Sequence, residues 1–144
     1  MISSNIVHEI RAFNRFYTNV IAVLDQDVLK SNFSLAEARV LFEIERLQPC
    51  SARKIMEVII IDEGYLSRIV KKLVAKNYIT KIRSDHDKRL YLLKLSASGV
   101  RQMRRLDELA NQATFGLIER LTADQTKTLL ENMQHIQNLL NFKT

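Results

Sequence analysis

Apolar residues recur every three or four positions along most of this chain, and only the stretch from Tyr78 to Leu95 breaks that spacing. A period near 3.6 calls for amphipathic helices, whereas the alternation of Tyr91, Leu93 and Leu95 fits a strand. Together the two periods restrict the fold to a mainly helical body with one small β-hairpin. The first helix is expected from about Ser4 to Val28, with Ile6, Ile10, Phe13, Tyr17, Val20, Leu24 and Val28 on one face and Val7, Phe16, Ile21 and Val23 widening it. The last helix carries Leu129, Leu130, Met133, Ile136, Leu139 and Leu140, an equally broad arc. Helices apolar over so wide a face need more partners than an ordinary surface helix.

Capping chemistry divides the chain between them. Ser34-Leu35-Ala36-Glu37 and Thr122-Ala123-Asp124-Gln125 have capping-box spacing, in which the first and fourth side chains each satisfy a free backbone amide. The second helix runs from Ser34 to about Leu47, and Pro49 ends it. Ser51 is expected to cap a short third helix to about Val58, with Ile59-Ile60-Ile61 as a buried turn, and Asp62 to cap a fourth. In that fourth helix Leu66, Ile69, Val70 and Leu73 share the core face, which leaves Gly64, Ser67, Arg68 and Lys71 outward with Tyr65 and Lys72 on the flank. Asn77 suits a left-handed C-cap. Strands are expected over Tyr78–Ser84 and Leu90–Leu95, and Ser96 caps a fifth helix that reaches about Glu119.

Two short helices joined by a tight turn and followed by a hairpin form a winged helix-turn-helix. A helix of this kind can enter the major groove of duplex DNA, with its first turns at the base edges and cations near the phosphates. Gly64, Tyr65, Ser67 and Arg68 are the expected groove residues, with Arg68 as the base reader because a guanidinium can bond bidentate to guanine. Arg53, Lys71 and Lys72 are assigned to phosphate and Ser51 to the same edge, while the hairpin tip carries Lys88 and Arg89, with Arg89 reaching the minor groove. Asp85 and Asp87 are expected to support the wing by pairing with an arginine and orienting it.

Charge distribution supports this reading. The formal charge is +6, and the segment from Ser51 to Lys94 holds eleven basic and five acidic residues, so it carries the entire excess. Such a charged middle between neutral flanks is the footprint of a polyanion-binding module. Other classes find little to stand on. Cys50 is alone, which rules out an intrachain disulfide, and His8, His86 and His135 lack metal-ligand spacing, so no metal or cofactor is expected. No set of nucleophiles and bases suggests an enzyme. No run approaches a membrane span and MISSNIVHEIR lacks the apolar core of a signal peptide, so a cytoplasmic protein of one folding unit is expected, with no membrane partner.

The spacing Asp87-Lys88-Arg89, five residues, then Leu95-Ser96 and Gly99 resembles the D-x-R…L-T-x-x-G wing pattern of the MarR family of transcriptional regulators, with Ser in place of Thr. Gly64-Tyr65-Leu66-Ser67-Arg68-Ile69-Val70-Lys71-Lys72-Leu73 is similar to that family's recognition helix, although Asn77 stands where a Gly is usual. A narrower likeness, through Arg15-Phe16-Tyr17-Thr18, Phe33–Leu41 and Asp62–Arg68, is to the MarR portion of proteins fused to a GNAT acetyltransferase.

The resemblance implies a homodimeric regulator, a repressor, on a pseudo-palindromic site of double-stranded DNA. Residues 1–30 and 97–144 then form the dimerisation helices and 31–96 the winged core. It also implies a small anionic or phenolic effector in a crevice between the two parts, for which Phe13, Arg15 and Tyr17 are the candidate lining. The competing class is a winged-helix adaptor that binds protein, since winged domains serve both ends and Glu63 sits awkwardly near a phosphate.

Overall fold

The computed structural model describes residues 1–141. Six helices and one hairpin follow in the order α1 (Ser4–Leu29), α2 (Leu35–Leu47), α3 (Ala52–Val58), α4 (Glu63–Ala75), β1 (Ile79–Arg83), β2 (Tyr91–Leu95), α5 (Ala97–Ile118) and α6 (Ala123–Leu139). The last three residues of the segment assigned to dimerisation lie outside the described residues. Each helix starts at a residue whose side chain accepts a bond from a backbone amide of the first turn: Ser3, Ser34, Ser51, Asp62, Ser96 and Thr122. Caps of this kind each stabilise a helix start by about 1 kcal/mol.

The Thr122–Gln125 box is closed in both directions. The Ser34 box is only half formed. Ser34 accepts from the Glu37 amide at 3.1 Å, but the Glu37 carboxylate turns away to the ammonium of Lys72, a charged partner that outcompetes a neutral amide. The expectation of a buried turn at Ile59–Ile61 also needs correction. Ile59 is buried, but its backbone is extended, so the next side chain points the opposite way and Ile60 stands fully in solvent.

Asn77 takes φ 60, and the amides of Asn77 and Tyr78 bond to the carbonyls of Val74 and Leu73. That pair of bonds is a Schellman closure of α4, and it turns the chain directly into β1. The strands pair antiparallel in the register Ile79↔Leu95 to Arg83↔Tyr91, shorter than expected because Tyr78, Ser84 and Leu90 fall outside the ladder. Cys50 extends the sheet on its other edge, trading both backbone bonds with Leu93.

One core is formed by Val40, Leu41 and Ile44 of α2, Ile55 of α3, Leu66, Ile69, Val70 and Leu73 of α4, Ile79, Leu93 and Leu95 of the hairpin, and Met103 and Leu106 of α5. The winged core is thus complete within a single chain. The terminal helices are different: α1 packs along α5, yet neither α1 nor α6 contains a buried residue. Ile10, Phe13, Phe16, Leu130, Leu139 and Leu140 all remain exposed.

Candidate nucleic-acid interface

Helix α4 divides cleanly along its length. Leu66, Ile69, Val70 and Leu73 face the core, while Gly64, Tyr65, Ser67, Arg68 and Lys71 are exposed on the opposite side. Asp62 fixes the first turn by accepting from the Tyr65 amide at 2.9 Å. A Cβ at Gly64 would stand 3.2 Å from that Asp62 carboxylate and 3.8 Å from the Arg68 guanidinium, so the glycine keeps this end of the helix slim. Arg68 lies over the Tyr65 ring at 5.7 Å, a cation–π contact that gives the guanidinium a preferred direction.

Between α3, the first turns of α4 and the wing lies a cleft of about 500 Å³. Ser51, Arg53, Ser67 and Arg89 of the expected set line it, together with Glu57, Glu63 and Lys81. Gly64, Tyr65, Arg68, Lys71 and Lys88 lie outside its lining and are exposed. Glu57 is occupied by Lys54 at 3.1 Å, whereas Glu63 lines the cleft without an ion pair among the described residues.

The aspartates of the wing do not do what was expected of them. Neither Asp85 nor Asp87 pairs with an arginine side chain among the described residues. Asp87 instead accepts from the backbone amide of Arg89 at 3.0 Å, and its own carbonyl accepts from the Leu90 amide. A side-chain turn of this kind fixes the direction of the chain at Arg89 without consuming its charge. Buried Ser84 completes the tip, its hydroxyl accepting from the amides of His86 and Asp87.

A second cationic group was missed by the sequence reading. Arg83 and Tyr91 are paired across the strands, and the guanidinium of Arg83 donates to the Tyr91 hydroxyl at 3.1 Å. Lys81 stands over the same ring at 4.6 Å. The hydrogen bond from Arg83, reinforced by the nearby charge, holds the Tyr91 phenol below the usual tyrosine value. Alternating basic residues at 81 and 83 were the available signal, but they acquire meaning only once the register places Tyr91 opposite them.

The structure also bears on Lys72, on the expected crevice lining and on Cys50. Lys72 is tied to Glu37 at 2.8 Å and is not a free cation. Exposed Phe13 stacks on half-buried Tyr17 at 5.7 Å, and neither they nor Arg15 line either of the two cavities found among the described residues. A small cavity does open at the other end of α1, bordered by Lys30, Phe33, Arg105 and Leu109. Cys50 is buried, and burial pushes its thiol up, away from the reactive thiolate.

A three-helix core closed by a two-stranded wing, with one helix presenting a polar, capped N-terminal end beside it, defines a winged helix-turn-helix protein. A sequence model of the MarR family matches residues 31–90, nearly the whole of that unit. Over that unit the chain is similar to the MarR family. It is 26% identical over 110 residues to the HTH-type transcriptional regulator BilQ of Clostridium symbiosum, covering 76% of each chain. Against the HTH-type transcriptional regulator SarZ of Staphylococcus epidermidis it is 29% identical over 96 residues, 67% of this chain and 64% of that one, so it spans under two thirds of that relative's length. The fold is shared with FabT of Streptococcus pneumoniae in a crystal structure with DNA, at a TM-score of 0.78, 16% identity and coverage of 94% and 97% of the two chains.

Proposed function

We propose that this protein is a DNA-binding transcriptional regulator, a repressor that acts as a cytoplasmic homodimer on a pseudo-palindromic duplex site. The observation that carries the reading is the outward face of α4: Gly64, Tyr65, Ser67, Arg68 and Lys71 are all exposed beside a wing that carries Arg89, within the segment that holds the entire excess charge. In this reading the first turns of α4 enter the major groove, Arg68 reads a base, and Lys71 and Arg53 meet phosphate with Ser51 beside them. Arg89, aimed by Asp87, and Lys88 approach the neighbouring minor groove. Asp85 is left to solvent.

Residues 31–96 act as the reading head, and residues 1–30 and 97–144 as the dimerisation part. Support for that division is the apolar surface of α1 and α6, which the single chain leaves uncovered and a two-fold partner would bury. Two heads on such a dimer would engage half-sites about 34 Å apart, one turn of DNA. Response to a small anionic or phenolic ligand belongs to the same reading. The cavity bordered by Arg105 is the candidate place for it, with Arg105 as the cation, since Lys30 is paired there with Asp27 at 3.4 Å.

Arg89→Ala is expected to weaken binding to the cognate duplex about tenfold, the effect of losing roughly 1.4 kcal/mol of contact, with dimerisation unchanged. Fluorescence anisotropy on the duplex and light scattering on the free protein measure the two separately. Equal affinity of variant and parent would remove the wing from the interface.

A further inference from the structure

Two carboxylates are buried among the described residues, and they differ in where they find a counter-charge. Glu43 pairs within its own helix, with Arg46 at 3.2 Å. Glu37, in the first turn of α2, reaches out of its helix to the ammonium of Lys72 on α4 at 2.8 Å. Its second oxygen is buried and makes no hydrogen bond among the described residues. A carboxylate so placed has little water to fall back on, and it is stable there because of the lysine and the positive end of the α2 dipole. The lysine, half exposed, is therefore held to the protein.

The position of Lys72 makes this restraint matter. It lies four residues after Arg68, on the same side of α4 and about 6 Å further along the axis. A helix that enters a groove by its N-terminus carries base readers in its first turns and meets flanking phosphates one turn later. A free ammonium there would add affinity for any duplex, because phosphate contacts do not depend on sequence.

We propose that Glu37 is a specificity-determining positioning residue: it holds the Lys72 charge against α2, so that α4 meets DNA with one cation fewer for the phosphates. Sequence-independent binding is weakened while the contacts of Arg68 and the wing are untouched. This role rests on the DNA-binding reading above.

Binding to a random-sequence duplex between 50 and 200 mM salt, with thermal melts alongside, tests the assignment for the parent, Glu37→Gln, and the double variant Glu37→Gln/Lys72→Gln. Glu37→Gln is expected to bind random duplex more tightly at the low end and to steepen the log–log salt slope by about 0.9 for each subunit engaged. Over that range this is an additional loss of about 3.5-fold per released lysine. The double variant is expected to keep the parental slope, since the parent withholds Lys72 already. A slope unmoved by Glu37→Gln, with only the melting temperature lowered, would make the pair purely structural and overturn the proposal. So would a double variant whose slope is shallower than the parent's. A parent that binds no duplex at all is a different result, and it would overturn the regulatory reading itself.

Discussion

Gly99→Ala is expected to destabilise the protein by about 3 kcal/mol or more, the cost of forcing an added carbon into a packed site. An ideal Cβ at this position would lie 1.9 Å from the Tyr78 carbonyl oxygen and 2.9 Å from its carbonyl carbon. Neither atom is the yielding end of a side chain. The Tyr78 carbonyl already accepts from the Ser96 amide, the Asn77 carbonyl accepts from the Ser96 hydroxyl, and that hydroxyl accepts in turn from the Gly99 amide. Start of α5, entry to β1 and end of α4 are thus one knot, and a methyl group at its centre must pry the hairpin from the helix. A fall in melting temperature of roughly 10 °C follows for a chain of this size. Loss of DNA affinity should accompany it, because the wing is hung from this joint. A variant that melts within a degree of the parent would show that the joint has slack the structure does not display.

Arg68→Ala is expected to cost 1 to 3 kcal/mol of binding to the cognate duplex, on the order of ten- to a hundredfold in affinity, if the guanidinium makes a bidentate contact with a base. The same variant should bind random duplex nearly as well as the parent. The arrangement of Arg68 supports that division: it projects from the second turn of a capped helix, rests on the Tyr65 ring, and has no carboxylate within ion-pairing distance among the described residues. Part of the entropic cost of ordering a long side chain is therefore met before DNA arrives. Competition titrations with cognate and scrambled duplexes give both numbers. Equal losses on the two would make Arg68 a phosphate contact and move base reading elsewhere on α4.

Much of this architecture was legible because its causes are local. Ser34, Ser51, Asp62, Ser96 and Thr122 each satisfy an amide three residues away, so their spacing alone marks where helices begin. The core face of α4 follows from the period of a helix, and the left-handed turn at Asn77 from a side chain that tolerates it. The wing spacing from Asp87 to Gly99 was visible too, but its physical content was not: nothing in the string shows that Gly99 sits beneath the Tyr78 carbonyl.

What escaped the sequence depends on contacts between distant positions. Glu37 and Lys72 are 35 residues apart, and each looked committed to another task, one to a capping box and the other to phosphate. The partner of Asp87 was misjudged for a related reason. Charge suggested an arginine side chain, whereas a tight loop rewards the nearest donor, which is the backbone amide of Arg89. Ile60 reads as core by composition and is exposed by geometry, because an extended link of three residues must turn one of them outward.

The central claim is that α4 and the wing read a sequence in duplex DNA, twice per dimer. Selection of bound sequences from a pool of random duplexes tests it most directly. The account predicts enrichment of a pseudo-palindrome whose half-sites are centred about 10 base pairs apart, with the preference relaxed at one position of each half-site for Arg68→Ala. A pool that emerges unenriched, under low-salt conditions where the parent binds duplex, would contradict sequence reading and leave this fold as a general binder of polyanions.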